Sequence, residues 1–101
     1  MNKKGRKLIW SNEALLSLKE IVKYLEANWT QTEIKNFAKL LDKHLNLLQK
    51  NPFLYPIDPA LHNLRKAVIS KQTSIFYRIT STEIHIISLF DNRQNPKKLR
   101  K

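Results

Sequence analysis

The stretch from Leu64 to the C-terminus, LRKAVISKQTSIFYRITSTEIHIISLFDNRQNPKKLRK, limits what this chain can fold into more than any other part of it. It reads as three short β-strands in succession, running into a tail rich in Arg and Lys. Leu64 to Ser70 is the first strand, and Lys71, Gln72 and Thr73 make a turn without an Asn-Gly signature. Ser74 to Thr80 is the second, with Ile75, Tyr77 and Ile79 alternating against Phe76 and Arg78. Ser81, Thr82 and Glu83 turn the chain again. Ile84 to Phe90 is nearly all apolar, which predicts a central strand covered on both faces.

The upstream half is suited to cover one face of those strands. RKLIW at 6–10 predicts a short strand with Leu8 and Trp10 on one side. Ser11 follows as an N-cap, its hydroxyl free to accept from the orphan amides of the next turn. Ala14, Leu15, Leu18, Ile21, Val22 and Leu25 recur at helical spacing, predicting an amphipathic helix to about Ala27. Thr30 with Glu33 makes a capping box for a second helix, whose stripe is Ile34, Phe37, Ala38, Leu41, Leu45 and Leu48. Lys50 suits the negative helix end, and Asn51-Pro52 stops it. The short connection predicts an antiparallel hairpin. His44, with no second ligand one turn away, reads as a helix-face histidine rather than a metal ligand. Residues 51–63 (NPFLYPIDPALHN) hold three of the four prolines and predict an irregular loop, with Phe53, Leu54 and Tyr55 tucked in as anchors. The expected fold is α+β in the order β-α-α-β-β-β: a helix hairpin on one face of a four-stranded, mainly antiparallel sheet, the other face open.

Composition bears on what that open face meets. The chain of 101 residues suits a single domain over 1–101, with a basic tail from about Arg93. It carries 19 Lys and Arg against 8 Asp and Glu, a formal charge of +11, which favours polyanionic or acidic partners. The charges are clustered: Lys3, Lys4, Arg6 and Lys7 crowd the start, and Arg93, Lys97, Lys98, Arg100 and Lys101 crowd the end. Cysteine is absent, which excludes disulfides and thiolate metal sites. No apolar run approaches the ~18 residues of a membrane span, and the basic N-terminus lacks a signal-peptide core. A cytoplasmic protein without metal or cofactor is expected.

Several segments in order resemble the RelE/ParE superfamily of type II toxin–antitoxin toxins. They are W-S-x-x-A near the start, YLEANW at the end of the first helix, NPFLYP after the second, then LRKAVISK, IFYRI and IISLFDNRQNPKKL. The similarity spans nearly the whole chain. It implies a growth-inhibiting bacterial toxin, encoded beside a cognate acidic antitoxin that neutralises it. The superfamily divides by target. RelE-like members cleave mRNA in the ribosomal A site with basic and aromatic residues of the exposed sheet face; ParE-like members poison DNA gyrase.

Metal-free RNA cleavage requires activating a 2′-OH, stabilising a pentavalent phosphate and protonating the leaving oxygen. Arg93, Arg65 and Lys71 are the catalytic candidates in that case, and Arg93 falls about where RelE-like nucleases carry an arginine. Arg65, Lys66, Lys71, Tyr77, Arg78, Arg93, Lys97, Lys98 and Arg100 are candidates for contacting a target or nucleic acid. Tyr77 alternates with Ile75 and Ile79, so packing competes with base stacking at that position. Two departures favour the ParE-like branch. Ser74 or Thr73 stands where the resemblance expects a mid-strand arginine, and no Glu–His acid–base pair stands out. His85, among apolar neighbours, reads as a packed neutral histidine. A non-toxic nucleic-acid-binding adaptor would also account for the charge and fold.

Overall fold

The computed structural model describes residues 6–93; Lys97, Lys98 and Arg100 of the expected basic tail lie outside that span. The chain runs through β1 (Lys7–Trp10), α1 (Asn12–Asn28), α2 (Gln31–Lys50), β2 (Ile57–Asp58), β3 (Leu64–Val68), β4 (Thr73–Ile79) and β5 (Glu83–Asp91). The strands form one sheet in the order β1-β5-β4-β3-β2. β1 is parallel to β5, and all other neighbours are antiparallel. No helix of the described residues is long and apolar enough to cross a membrane.

Both helices begin where their capping residues stand. The Ser11 hydroxyl accepts from the Ala14 amide at 2.9 Å, and the Thr30 hydroxyl accepts from the Glu33 amide at 3.3 Å. The stripes then bury against the sheet: Ile21 and Leu25 of α1 with Phe37, Leu41 and Leu48 of α2 meet Ala67, Ile75, Tyr77, Ile84, Ile86 and Leu89. Each fully buried Ile or Leu stabilises the fold by about 1.5–3 kcal/mol, so this seam outweighs helix propensity in holding the hairpin down. Serines add polar fastenings. Ser11 Oγ donates to the Ile87 carbonyl at 2.8 Å, and the Leu89 amide donates to Ser17 Oγ at 3.1 Å.

The loop and the last strand depart from the expected pattern. The sheet has five strands rather than four, because Ile57 and Asp58 pair with Arg65 and Leu64. Pro56 and Pro59 flank this two-residue strand; lacking N–H groups, they confine it to a short sheet edge. The rest of the proline-rich loop is not wholly irregular either, since Pro52–Leu54 and Pro59–Leu61 are single turns of 3-10 helix. Phe53 and Leu54 are exposed rather than tucked in, whereas Tyr55 packs against the core as expected and Pro52 is buried. β5 is interior but has only one fully covered face. Phe76 pairs with Ser88 and Tyr77 with Ile86, leaving Ile87 as a bulge. The bulge switches the inward set from Ile84 and Ile86 to Leu89 and Asp91, hiding the strand's alternation in an apolar run.

Candidate functional site

The face away from the helices is built from alternate residues of four strands. Lys66, Phe76 and Ser88 lie in register across its middle, and Val68, Ser74 and Phe90 lie in register nearer the β5 exit. At the opposite end Ile9, His85 and Arg78 share a row, with Lys7 beside Glu83. Val68 and Phe90 are exposed on either side of buried Ser74, one of the two residues standing where the resemblance expects an arginine. That part of the face is apolar rather than cationic.

The sequence-predicted residues are scattered between two ends and the core. Lys66 and Arg78 are exposed on the open face, and Lys71 is exposed at the β3–β4 turn. Asn92 fastens that turn to the chain after β5, its amide bonding Gln72 O at 2.9 Å and its side chain bonding Lys71 O at 3.3 Å. Lys71 and Arg93 therefore share one end of the sheet. Arg65 lies on the helix side at the other end, where its Nη1 donates to the Tyr55 carbonyl. Tyr77 belongs to the core, not to a base-stacking surface: it is 0% exposed, and its hydroxyl donates to Pro52 O at 2.7 Å. Burial pushes its pKa up to about 12, against the lowering influence of nearby Arg65.

Arg93 is held by an internal ion pair. Its Nε donates to Asp91 Oδ1 at 3.0 Å and its Nη2 to Asp91 Oδ2 at 2.8 Å. Its backbone amide adds a third bond to Oδ1 at 2.9 Å, and the Thr73 hydroxyl donates to Oδ2 at 2.7 Å. The carboxylate is 1% exposed and the Arg93 side chain 20%. Burial alone pushes the Asp91 carboxyl up, but the bonds from Arg93 and Thr73 outweigh it and hold the carboxyl below its ordinary pKa. The side-chain bonds to Asp91 raise the Arg93 pKa in turn, against the lowering effect of its own burial. Its guanidinium also lies 5.6 Å from the centre of the Trp29 ring, at the junction of the two helices. The carboxylate fills one edge of the guanidinium and offsets its charge, leaving the Nη1 edge as the only one open to another anion.

An acid–base pair that the residue pattern did not reveal lies on the open face. His85 is half-buried rather than packed away, and its Nε2 sits 2.8 Å from Glu83 Oε1. Arg78 stands directly across from His85 on β4. The signal was their spacing of two on one strand, which places both on one face. Arg6, from the basic N-terminal cluster, and Phe53, expected as a buried anchor but exposed, meet Arg65 beyond the sheet end. Among the described residues, no three His, Asp or Glu side chains are grouped to hold a metal ion.

A helix hairpin on one face of a sheet whose first strand runs parallel to its last is the architecture of RelE/ParE-superfamily toxins. Residues 8–96 match the family described as ParE toxin of type II toxin-antitoxin system, parDE, and the chain belongs to that family. Among solved structures, the chromosomal ParDE TA system from P. aeruginosa superimposes with a TM-score of 0.71 at 15% identity, covering 88% of this chain and 98% of that one. The E. coli DinJ-YafQ complex gives 0.54 at 14% identity, covering 87% and 94%. YafQ from E. coli strain BL21(DE3) gives 0.51 at 15%, with the same coverage of 87% and 94%. At such identities the likeness is one of fold. No curated protein matches the sequence.

Proposed function

We propose that this chain is a growth-inhibiting cytoplasmic toxin that acts by binding DNA gyrase and is held inactive by an acidic antitoxin. The observation carrying this reading is the occupied fork of Arg93, the residue a RelE-like nuclease would need for transition-state charge. Ser74 between Val68 and Phe90 supports it further, since the row expected to grip a nucleotide offers no cation. Membership of the ParE family points the same way. The working surface is then the open face with Lys66, Lys71 and Arg78. The basic residues Lys97, Lys98 and Arg100 continue the same chemistry, and contacts of that kind weaken steeply with salt. The purified protein is expected to block supercoiling by gyrase while leaving mRNA intact in a translating extract. Cleaved mRNA with unimpeded supercoiling would overturn the reading.

One observation favours ribosome-dependent mRNA cleavage as the second reading. Glu83 can orient His85 as a general base or acid, with Arg78 in the next strand to receive phosphate charge. On that reading His85→Ala abolishes cleavage without unfolding the protein. Arg65, on the helix side, and Lys71 and Arg93, at the far end of the sheet, take no direct part in that scheme.

A further inference from the structure

A cleft of about 350 Å³ opens at the end of the sheet away from Arg93, lined by Arg6, Phe53, Ile57, Arg65, Arg78 and Ile79. The separation is set by β4, which runs from Thr73 to Ile79 and spans ~20 Å at the usual strand rise. Its floor is an aromatic ring with two guanidiniums against it, Arg6 at 5.4 Å and Arg65 at 5.1 Å from the Phe53 centroid. Each of these arginines also has one N–H committed to a backbone carbonyl. Arg6 Nε donates to Thr80 O at 2.8 Å, and Arg65 Nη1 donates to Tyr55 O at 2.6 Å. Their remaining donors are thereby held in fixed planes, at little further loss of rotamer entropy on binding.

The charge in this cleft is uncompensated. No carboxylate lines it, and neither ion pair of the described residues involves Arg6, Arg65 or Arg78. The residues outside 6–93 contain no Asp or Glu. Three like charges bordering one recess, Arg65 from the helix side and Arg78 from the open face, favour whatever anion neutralises them. The walls decide which kind. Phe53 is 58% exposed and Ile57 47% exposed, so the arginines are bordered by apolar surface that a phosphodiester backbone would leave wet, and the ring on which a base would stack already has two guanidiniums over it. A peptide with aliphatic side chains beside its carboxylates would cover that surface.

We propose that the cleft binds an acidic, apolar-flanked peptide segment, and that it is the anchor for a carboxylate of the antitoxin; the second clause rests on the function proposed above. Capture is by carboxylate, guanidinium fork to carboxylate, with Phe53 and Ile57 against the neighbouring aliphatic groups. The edge of β2 does not contribute, because Pro56 and Pro59 deny it the amides that strand addition needs.

The test is an NMR titration of the whole chain, reading the arginine Nε–H signals. The probes are a blocked hexapeptide of alternating Glu and Leu, its Gln–Leu counterpart and a 5′-phosphorylated hexathymidylate. The acidic peptide is expected to move the Arg6 and Arg65 signals and to bind about tenfold more tightly than the Gln form. Arg78→Gln and Phe53→Ala, both at exposed positions, should each weaken it. Equal binding of the Gln peptide, preference for the oligonucleotide, or shifts confined to Arg93 and Asn92 would overturn the proposal. Blocked supercoiling without peptide binding removes this inference alone. Peptide binding without blocked supercoiling leaves the cleft standing and removes the gyrase reading.

Discussion

Substituting Asp91 by Ala should unfasten the chain after β5 and lower stability by about 3 kcal/mol. The carboxylate is almost wholly buried and accepts from the Thr73 hydroxyl, the Arg93 amide and two guanidinium N–H groups. Removing it leaves a cation that is 20% exposed without its partner, and a Thr73 hydroxyl that is 1% exposed without an acceptor. Breaking a buried ion pair from one side costs about 3–5 kcal/mol, and the residual access of Arg93 to water and to the Trp29 ring places this case at the low end. For a domain of this size that corresponds to a melting temperature lower by ~12–24 °C. Arg93→Ala should be similarly damaging, because it strands the buried carboxylate. The double variant should then be less unstable than the sum of the singles by about 1–3 kcal/mol. Urea melts followed by circular dichroism, on all four proteins at pH 7, measure the cycle. A loss below about 1 kcal/mol for Asp91→Ala, or strictly additive singles, would refute the reasoning. The same carboxylate predicts an acid limit. Its folded pKa lies below the unfolded value, so its stabilisation is present above ~pH 4 and disappears as pH falls through the folded pKa. Asp91→Asn should flatten that part of the stability profile.

Tyr77→Phe should cost about 1–2 kcal/mol in the same melts, since the buried Pro52 carbonyl loses its donor. With the Tyr77 pKa raised to about 12, its contribution is complete below the unfolded value of ~10 and is lost as pH rises through 12. An alkaline unfolding limb present in the parent protein and weakened in Tyr77→Phe would show this. Ser11→Ala should cost about 2 kcal/mol, because one hydroxyl both caps α1 and satisfies the carbonyl of the Ile87 bulge. A loss of only a few tenths would mean that water replaces both bonds.

Much of this protein could be read from local rules. The helix caps at Ser11 and Thr30, most of the apolar stripes and the alternation along β4 are set by near neighbours and fall where spacing put them, although Leu15 and Ala38 of the expected stripes are exposed. The family resemblance likewise rests on short segments in order along the chain. Pairing across sequence was not legible in the same way. Nothing local distinguishes Ile57 and Asp58 from loop, because their strand exists only through Leu64 and Arg65. Nor does the run from Ile84 to Phe90 betray its bulge, which depends on where β4 and Ser11 meet it. The site residues divide along the same line. Charge and position singled out Arg93, but only the folded chain sets the Asp91 carboxylate against its fork and Thr73 behind that carboxylate. Composition supplied the basic charge, while the folded chain determined which cations are already neutralised and which, like Arg6, Arg65 and Arg78, line one recess without a counter-ion. The physical reason is that a side chain's propensity acts over one helical turn or one strand step, whereas the groups that lock a polar side chain in place, such as the Thr73 hydroxyl on Asp91 or the Pro52 carbonyl on Tyr77, arrive from residues far along the sequence.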